Sequence, residues 1–339
     1  MIFRCYVLCL LLFSLWGSNV VHAADPAVVR ANSIRTGKIP FKEGYFGEGD
    51  NRLHYVEAGK GPLIIMYHGF PSFWYSWFDQ MEELKGRYRV VAVDGLGAGL
   101  SAKPESLEAY RIEKLAEQID RLARHLNGNR RFTLIGHDWG AALSFAYAQA
   151  YPKRLNAVIG MSAPPYNLFL DILRSNEEQQ ARSTYMQFFR TVTLDDIRSR
   201  NMGDQIWRQS YGALLERGDL SQEEGALFRT ALSNPLAING GMNWYRANMP
   251  PVEAIGEHTF WPRTNPKINV PTLLIWGEVD RTFVPEFIDR MSGYSSNVQI
   301  VRLPGVNHWT SMEQSKQASK EIASFLKLRS RAVRRTAEN

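Results

Sequence analysis

The chain has 339 residues, of which 45% are apolar, 12% aromatic and 22% charged, and its formal net charge at pH 7 is +6. This composition supplies enough apolar surface for one large core or two smaller ones, and it excludes a disordered or collagen-like chain. The apolar run near the start is too short to span a bilayer, and no later stretch reaches the roughly 20 apolar residues of a membrane helix. The sequence therefore argues against an integral membrane protein.

Residues 1–23 have the pattern of a secretory signal peptide. Arg4 supplies an early positive charge, residues 6–16 are largely apolar, and Val21 and Ala23 place small residues at the two key positions before cleavage. This pattern predicts cleavage after Ala23 and an exported protein, either periplasmic or secreted. The alternative is a membrane anchor or a buried first helix, which the shortness of the run disfavours.

The cysteines and the basic C-terminal tail bear on disulfides, metal binding and nucleic-acid binding. Cys5 and Cys9 are the only cysteines and both lie in the predicted signal peptide, so the mature chain would have no disulfide and no cysteine-ligated metal. Basic residues are concentrated at 327–335, a pattern that can bind anionic surfaces or nucleic acid. We favour a solvated terminus and expect no nucleic-acid partner, because an exported chain would seldom meet one.

The remainder of the sequence predicts strands and helices in alternation. A hairpin is expected from the segments 41–46 and 52–56 on either side of a Gly- and Asp-rich turn. Short apolar runs then predict buried strands. These runs are residues 63–69, 90–95, 132–138, 157–164, 272–278 and 298–305.

The alternation predicts the α/β class, with a mostly parallel sheet and one helical insertion. The clearest helix is residues 112–126, where apolar side chains recur every three or four positions. Alternation stops between about 167 and 267, a stretch rich in Trp, Tyr, Phe, Arg and Met. We therefore expect a core formed by residues 38–166 and 268–330, with residues 167–267 as a helical cap.

Asp138 occupies the centre of a Gly-x-nucleophile-x-Gly turn between a predicted strand and a predicted helix. Gly136 and Gly140 permit the tight turn of a nucleophile elbow, which exposes the central side chain at the carboxyl end of the strand. The alternative is an ordinary turn in which Asp138 only caps the helix. A carboxylate is already an anion at neutral pH, so it can attack an alkyl carbon directly and form an ester of the enzyme.

Hydrolysis of such an ester needs a base and an acid that orients it. His308 follows the last predicted strand, and Asp280 follows the strand before it. The chain order nucleophile, acid, histidine is that of α/β-hydrolases. Glu278 is the weaker candidate for the acid, and Ser162 occupies the other place where an acid is sometimes found. The alternative is that Asp280 caps a turn and His308 is a structural loop residue.

An oxyanion hole is expected from two backbone N–H groups. The donors would be Trp139, directly after the nucleophile, and Phe70, in the loop after the strand at 63–69. His68 in the same loop is more consistent with a structural role than with catalysis.

From about residue 38 to 326 the chain resembles the epoxide hydrolases of the α/β-hydrolase fold, in an exported, bacterial-type form. Four motifs in the right order carry the resemblance. They are His68–Trp77 (HGFPSFWYSW), Gly136–Gly140 (GHDWG), Gly241–Arg246 (GMNWYR) and Asn307–Glu313 (NHWTSME).

The resemblance implies that two cap tyrosines hydrogen-bond the epoxide oxygen and protonate it as the ring opens. Tyr245 matches the second of them, and Tyr185 resembles the first, although Thr184 precedes it where an aromatic residue is usual. Either tyrosine would otherwise be an aromatic filling the seam between cap and core. Trp74 and Trp309 are predicted to line the substrate pocket, with core packing as the alternative.

A glycine-rich segment, residues 94–101, superficially resembles a dinucleotide fingerprint. Its context does not fit, because the family has a glycine-rich loop here without a cofactor, and glycine spacing alone is a weak signal. We expect no nicotinamide, no flavin and no metal.

The leading hypothesis is hydrolysis of a largely apolar, small-molecule epoxide to a vicinal diol through an ester of Asp138. A second hypothesis is a dehalogenase that uses the same nucleophile, base and acid. Haloalkane dehalogenases usually carry Asn at the position of Phe70, and fluoroacetate dehalogenases carry arginines at the positions of Trp139 and Gly140. Both differences favour the epoxide hydrolase. A third hypothesis is a homologue that binds small molecules without catalysis.

Overall fold

The structure is a computed structural model that describes residues 41–263 and 267–338. The predicted signal peptide, residues 1–23, lies outside the described residues. Within the described ranges, no helix is both long enough and apolar enough to cross a membrane.

The described residues form one eight-stranded sheet with the order β1-β2-β4-β3-β5-β6-β7-β8. The first two pairings, β1 with β2 and β2 with β4, are antiparallel, and the other five are parallel. This confirms the predicted α/β class. The strands are β1 (Lys42–Phe46), β2 (Leu53–Ala58), β3 (Leu63–Tyr67), β4 (Arg89–Val93), β5 (Phe132–His137), β6 (Leu155–Met161), β7 (Thr272–Gly277) and β8 (Val298–Leu303).

The central strands are continuous apolar runs because helices cover both faces of the sheet. Every residue of β3, β5 and β7 is buried. The run at 298–305 was expected to be a buried strand as well, but β8 is only partly buried. It has one neighbouring strand and forms an edge of the sheet.

In the part of the chain that the structure describes, six helices lie outside the segment between β6 and β7. The predicted helix at 112–126 is confirmed as α2, whose apolar positions Leu115, Ile119 and Leu122 are buried against the core. The six are α1 (Phe78–Leu84), α2 (Ile112–Asn127), α3 (Trp139–Ala150), α11 (Glu286–Tyr294), α12 (Thr310–Glu313) and α13 (Ser315–Glu338).

Between β6 and β7 the described chain forms helices and no strand, in the region where the sequence predicts the cap. Thr193 and Ser221 cap the N-termini of two of the helices. Each side chain accepts a hydrogen bond from the backbone N–H three residues later in the chain. The helices are α4 (Tyr166–Ser175), α5 (Glu177–Arg182), α6 (Thr184–Thr191), α7 (Leu194–Ser199), α8 (Met202–Arg217), α9 (Gln222–Leu232) and α10 (Pro235–Asn248).

Helix α10 crosses the glycine-rich loop after β4. A Cβ atom on Gly97 would lie 2.7 Å from the backbone carbon of Gly240, so neither position has room for a side chain. The indole of Trp244 donates a hydrogen bond of 2.8 Å to the carbonyl of Leu96. The loop at 94–101 thus serves to seat α10 on the core.

Candidate active site

The predicted catalytic residues follow strands that end at the same edge of the sheet. Asp138 follows β5, and Phe70 lies in the loop after the adjacent β3. Asp280 and His308 lie in the loops after β7 and β8. Because these strands are parallel, their carboxyl ends converge, which is the usual position of a site in an open α/β sheet.

Asp138 has the backbone conformation of a nucleophile elbow. Its φ is +54°, a left-handed conformation that few residues other than glycine adopt. A Cβ on Gly136 would lie 2.0 Å from the carbonyl oxygen of Gly140, and one on Gly140 would lie 1.9 Å from the carbonyl oxygen of Tyr67. The two glycines are therefore required by the close approach of β5, α3 and β3.

The two oxygens of the Asp138 carboxylate have different partners. The backbone N–H of Phe70 donates to Oδ1 at 3.0 Å, and the backbone N–H of Trp139 also hydrogen-bonds the carboxylate. Oδ2 lies 3.3 Å from Nε2 of His308. The structure thus brings the two predicted oxyanion donors and the predicted base to the same side chain.

Asp280 and not Glu278 reaches the histidine. Nδ1 of His308 lies 3.0 Å from Oδ2 of Asp280, whose side chain is 1% exposed, whereas Glu278 is exposed. The other oxygen of Asp280 accepts a hydrogen bond of 2.7 Å from the backbone of Thr282. The hydroxyl of Ser162 pairs instead with that of Thr310, at 2.9 Å.

The loop that carries His308 is fixed on both sides. The carboxylate of Glu313 accepts hydrogen bonds from the backbone of Asn307 and of Trp309, at 3.1 and 3.0 Å. On the inner side, Nε2 of His137 lies 2.8 Å from the carbonyl oxygen of His308.

Sequence reasoning gave His137 no role. Burial is the largest effect on its ring and, together with the charge of His308, it lowers the pKa of His137 to about 4. The neutral ring can then donate Nε2–H to the carbonyl of His308. The only sequence signal was its position beside the nucleophile, which does not show where the side chain points.

The carboxylates favour the charged form of His308. Burial opposes that charge, but Asp280 and Asp138 outweigh it and raise the pKa of His308 to about 10. Burial likewise works against ionised Asp138, yet its hydrogen bond and ion pair with His308 lower the pKa of the carboxyl below its ordinary value. The resting site therefore contains an imidazolium paired with two carboxylates.

Tyr185 on α6 and Tyr245 on α10 contact each other near the Asp138 carboxylate. Their ring centroids lie 6.1 Å apart, and the two side chains hydrogen-bond each other. The ring of Tyr245 packs edge-on against Trp139 and Phe70, with centroid distances of 5.2 and 5.9 Å. Burial, with the nearby charge of Asp138, raises the pKa of both hydroxyls well above the ordinary value, so both keep their protons.

A cavity of about 30 Å³ opens beside the nucleophile. Its volume suits one or two water molecules, so a substrate must displace part of the lining. Besides Asp138, Trp139 and Tyr166, the lining is largely apolar and includes Phe169, Met186, Met249 and Phe283. Sequence reasoning identified none of these last four residues.

Trp309 and Trp74 have different surroundings. Trp309 packs against His308 and His137, with ring centroids 5.6 and 5.4 Å away. Trp74 was predicted to line the pocket, but the structure does not place it there: its ring packs against Phe41, Phe73 and Tyr75 in the core. The 3-10 turn Trp74–Trp77 directs the Trp74 ring inward. The backbone N–H of Trp74 donates to Oδ1 of Asp94 at 2.8 Å.

His68 has a structural environment, as the sequence suggested. Its Nε2 accepts a hydrogen bond of 2.9 Å from the backbone of Gly95, and Nδ1 lies 2.7 Å from the carbonyl oxygen of Gly69. Among residues 41–263 and 267–338, no three His, Cys, Asp or Glu side chains form a group that could hold a metal ion.

Comparisons with known proteins show which family the chain resembles. Residues 62–315 match the family model of the alpha/beta hydrolase fold. The chain is 31% identical to Epoxide hydrolase 3 of Xenopus tropicalis over 284 residues, covering 81% of this chain and 75% of that protein. It is 30% identical to Epoxide hydrolase 4 of Homo sapiens, covering 81% and 76% of the two chains.

A solved structure shows the same likeness. The epoxide hydrolase of Bacillus megaterium, crystallised with an inhibitor, superposes with a TM-score of 0.76 at 28% identity. The match covers 84% of this chain and all of that one. The chain therefore belongs to the α/β-hydrolase fold family and, within it, to the epoxide hydrolases.

Proposed function

We propose that this enzyme hydrolyses epoxides to vicinal diols through a covalent ester of Asp138. The observation that carries the proposal is the asymmetry of the Asp138 carboxylate. Oδ1 accepts a hydrogen bond from the N–H of Phe70, the N–H of Trp139 also hydrogen-bonds the carboxylate, and Oδ2 lies 3.3 Å from Nε2 of His308. One oxygen is thus in an oxyanion hole and the other is placed to attack.

In the first half-reaction, Oδ2 bonds to a ring carbon and the bond from that carbon to the epoxide oxygen breaks. The oxygen takes a proton from Tyr185 or Tyr245, whose high pKa values keep them protonated until charge develops on the epoxide. The products are an ester of Asp138 with a neighbouring hydroxyl and a tyrosinate.

Ester formation converts His308 into a base. The negative charge of Asp138 disappears, so one of the two carboxylates that raise the pKa of His308 is lost while burial remains. The imidazolium then gives its proton to the tyrosinate, and the neutral ring removes a proton from water.

Water attacks the ester carbonyl carbon, and negative charge develops on Oδ1. The backbone N–H groups of Phe70 and Trp139 stabilise this charge. Collapse releases the diol and restores the ion pair of Asp138 with His308. Asp280 would fix the ring and stabilise its charge throughout.

The helices between β6 and β7 act in this proposal as the cap that supplies the tyrosines. We further propose that the protein is exported after cleavage following Ala23. Expression with the complete N-terminus tests export: the mature chain should appear outside the cytoplasm and start at Ala24, and an intact N-terminus on a cytoplasmic protein would contradict it.

The decisive experiment for the chemistry is intact-protein mass spectrometry of His308→Gln. This variant should form the ester but not hydrolyse it. Incubation with a panel of epoxides should add the mass of one whole epoxide, and peptide mapping should place it on Asp138. The matched control is the double variant with Asp138→Asn as well, which should gain no mass.

The other outcomes would overturn the proposal. A mass gain of an alkyl group, seen only with haloalkanes and accompanied by free halide, would indicate a dehalogenase. Ligand binding without any mass gain on His308→Gln, together with no turnover by the wild-type enzyme, would indicate a binding protein.

A further inference from the structure

The amino ends of the parallel strands form the edge of the sheet opposite the active site, which we call the base. Strands β3 to β8 are all parallel, so the segments that lead into them lie side by side at this edge. Six described segments form the base: residues 59–62, 85–88, 128–131, 151–154, 267–271 and 295–297.

The ionisable side chains of lysine and arginine are concentrated in the base, and these six segments contain no Asp or Glu. The segments that leave the same strands at the other edge have the opposite character, with Asp94, Asp138 and Asp280. Five of the six base segments carry at least one exposed Lys or Arg. These exposed residues are Lys60, Arg87, Arg130, Arg131, Lys153 and Lys267.

The exposed positive charges of the base are not neutralised by carboxylates. None of the six exposed residues forms an ion pair within the described part of the chain. Carboxylates in the adjoining strand and helix are paired with other cations: Glu57 lies 2.5 Å from Arg89, and Glu82 lies 2.6 Å from Lys85. The base therefore presents an excess of positive charge to the solvent.

A groove of about 720 Å³ runs across the base. Arg131 and Lys153 line it where the chain enters β5 and β6, and its described lining contains no carboxylate. Most of the other lining groups are apolar, including those of Pro62, Leu155, Val270 and Leu326. The base thus combines unneutralised positive charge with accessible apolar surface.

The C-terminal helix continues the same combination of charged and apolar groups. Helix α13 reaches the base groove at Leu326. Lys327 and Leu328 follow and are both exposed, the leucine by 59%. Residues 327–335 contain five basic residues and no acidic one. The sequence alone favours a solvated terminus, but the helix brings this segment next to the base, and basic residues among apolar ones are typical of segments that lie on an anionic membrane.

The shape of the base favours a membrane over a nucleic acid. Its exposed cations precede five neighbouring strands, β4, β3, β5, β6 and β7, which together span about 19 Å at the usual strand spacing. This is a broad face and not a single pocket. Proteins that bind single-stranded nucleic acids usually stack bases on aromatic side chains. Among the described residues that line the groove, Tyr88 is the only aromatic one.

We propose that the base is a docking surface for a bilayer rich in anionic phospholipid. Lipid phosphates bind Arg131 and Lys153, whose charged groups suit phosphate, and apolar parts of the lipid contact the groove and Leu328. Because the active site lies at the opposite edge of the sheet, the docked enzyme keeps its cap and catalytic residues in the water phase. The proposal does not depend on the reaction that the enzyme catalyses.

The test is cosedimentation of the chain that begins at Ala24 with lipid vesicles. This chain omits the apolar run of residues 6–16, which could itself bind lipid. Vesicles of phosphatidylcholine alone are compared with vesicles that also contain phosphatidylglycerol, at low and at high salt. The protein should bind only the anionic vesicles, and salt should weaken the binding by screening. Absence of binding to anionic vesicles at low salt would overturn the proposal.

A pair of charge reversals separates the base from the overall charge of the protein. Arg131→Glu with Lys153→Glu should lower the partition coefficient about tenfold or more, and an unchanged melting temperature would show that the fold is intact. The matched control is Arg198→Glu with Lys316→Glu, which changes the net charge equally at exposed positions away from the base. Lys316 lies ten residues before Leu326 on α13, about 15 Å along the helix, and screening is strong over that distance. Equal losses in the two double variants would overturn the proposal.

Two further measurements distinguish the base from the tail and the membrane from nucleic acid. A chain that ends at Leu328 lacks the last basic residues of the tail, and its remaining vesicle binding should still fall with Arg131→Glu and Lys153→Glu. If the shortened chain binds no vesicles while the double variant of the longer chain binds like wild type, the tail acts alone and the proposal is wrong. Tighter binding to duplex DNA than to anionic vesicles at the same salt would indicate a nucleic-acid partner and would also overturn it.

Discussion

The backbone N–H of Phe70 donates to Oδ1 of Asp138 at 3.0 Å, joining two loops that are 68 residues apart in the chain. Gly69 makes this contact possible, because a Cβ atom there would lie 2.1 Å from the same oxygen. The loop after β3 can therefore approach the carboxylate only with its backbone. This approach fixes which oxygen of Asp138 is free to face His308.

The elbow glycines are expected to be essential for stability. Gly140→Ala would place a Cβ 1.9 Å from the backbone oxygen of Tyr67, which cannot yield without shifting β3. We expect a loss of about 2–3 kcal/mol in the free energy of unfolding. Chemical denaturation measures it.

Gly212→Ala is the control for that substitution. Gly212 lies inside α8, and a Cβ there meets nothing within 4 Å. Alanine should stabilise the helix by about 0.5–1 kcal/mol. Equal effects of the two substitutions would contradict the steric argument.

The tyrosine pair should show partial redundancy. Both side chains are protonated and hydrogen-bond each other, so either can supply the proton when the other is removed. Tyr185→Phe and Tyr245→Phe should each lower kcat for an epoxide by about tenfold to a hundredfold, and the double variant by about a thousandfold or more. Rates of mass gain on His308→Gln would place the effect in ester formation. Full activity of the double variant would exclude the assignment.

Much of this site follows from the sequence because its groups directly follow recognisable strands. The Asp138 turn, the Asp280 loop and the His308 loop each come after an apolar run, and parallel strands bring such ends together. The strands themselves are predictable because the central ones are buried on both faces.

Features that depend on side-chain direction could not be predicted in this way. Nothing in the spacing shows that His137 turns toward the carbonyl of His308, or that Trp74 turns into the core.

Asp280 is predicted to act in ester hydrolysis more than in ester formation. Asp280→Asn keeps the shape but removes the charge that orients and stabilises the His308 imidazolium. We expect turnover to fall on the order of a hundredfold or more, with the ester accumulating on Asp138. Glu278→Gln is the matched control, since Glu278 is exposed and should leave turnover unchanged. A variant of Asp280 that turns over normally would refute the role.

The His308 ion pair should make the stability of the fold depend on pH on the alkaline side. The pKa of His308 is raised from 6.5 to about 10, so its charged form contributes fully below pH 6.5 and this contribution is lost as pH rises toward 10. The free energy of unfolding of wild type should therefore fall over this range more steeply than that of His308→Gln. Other groups that titrate there, such as lysines and exposed tyrosines, are common to both proteins and cancel in the difference. Denaturant unfolding at several pH values measures the two slopes, and parallel curves would show that His308 is not held as a cation by Asp138 and Asp280.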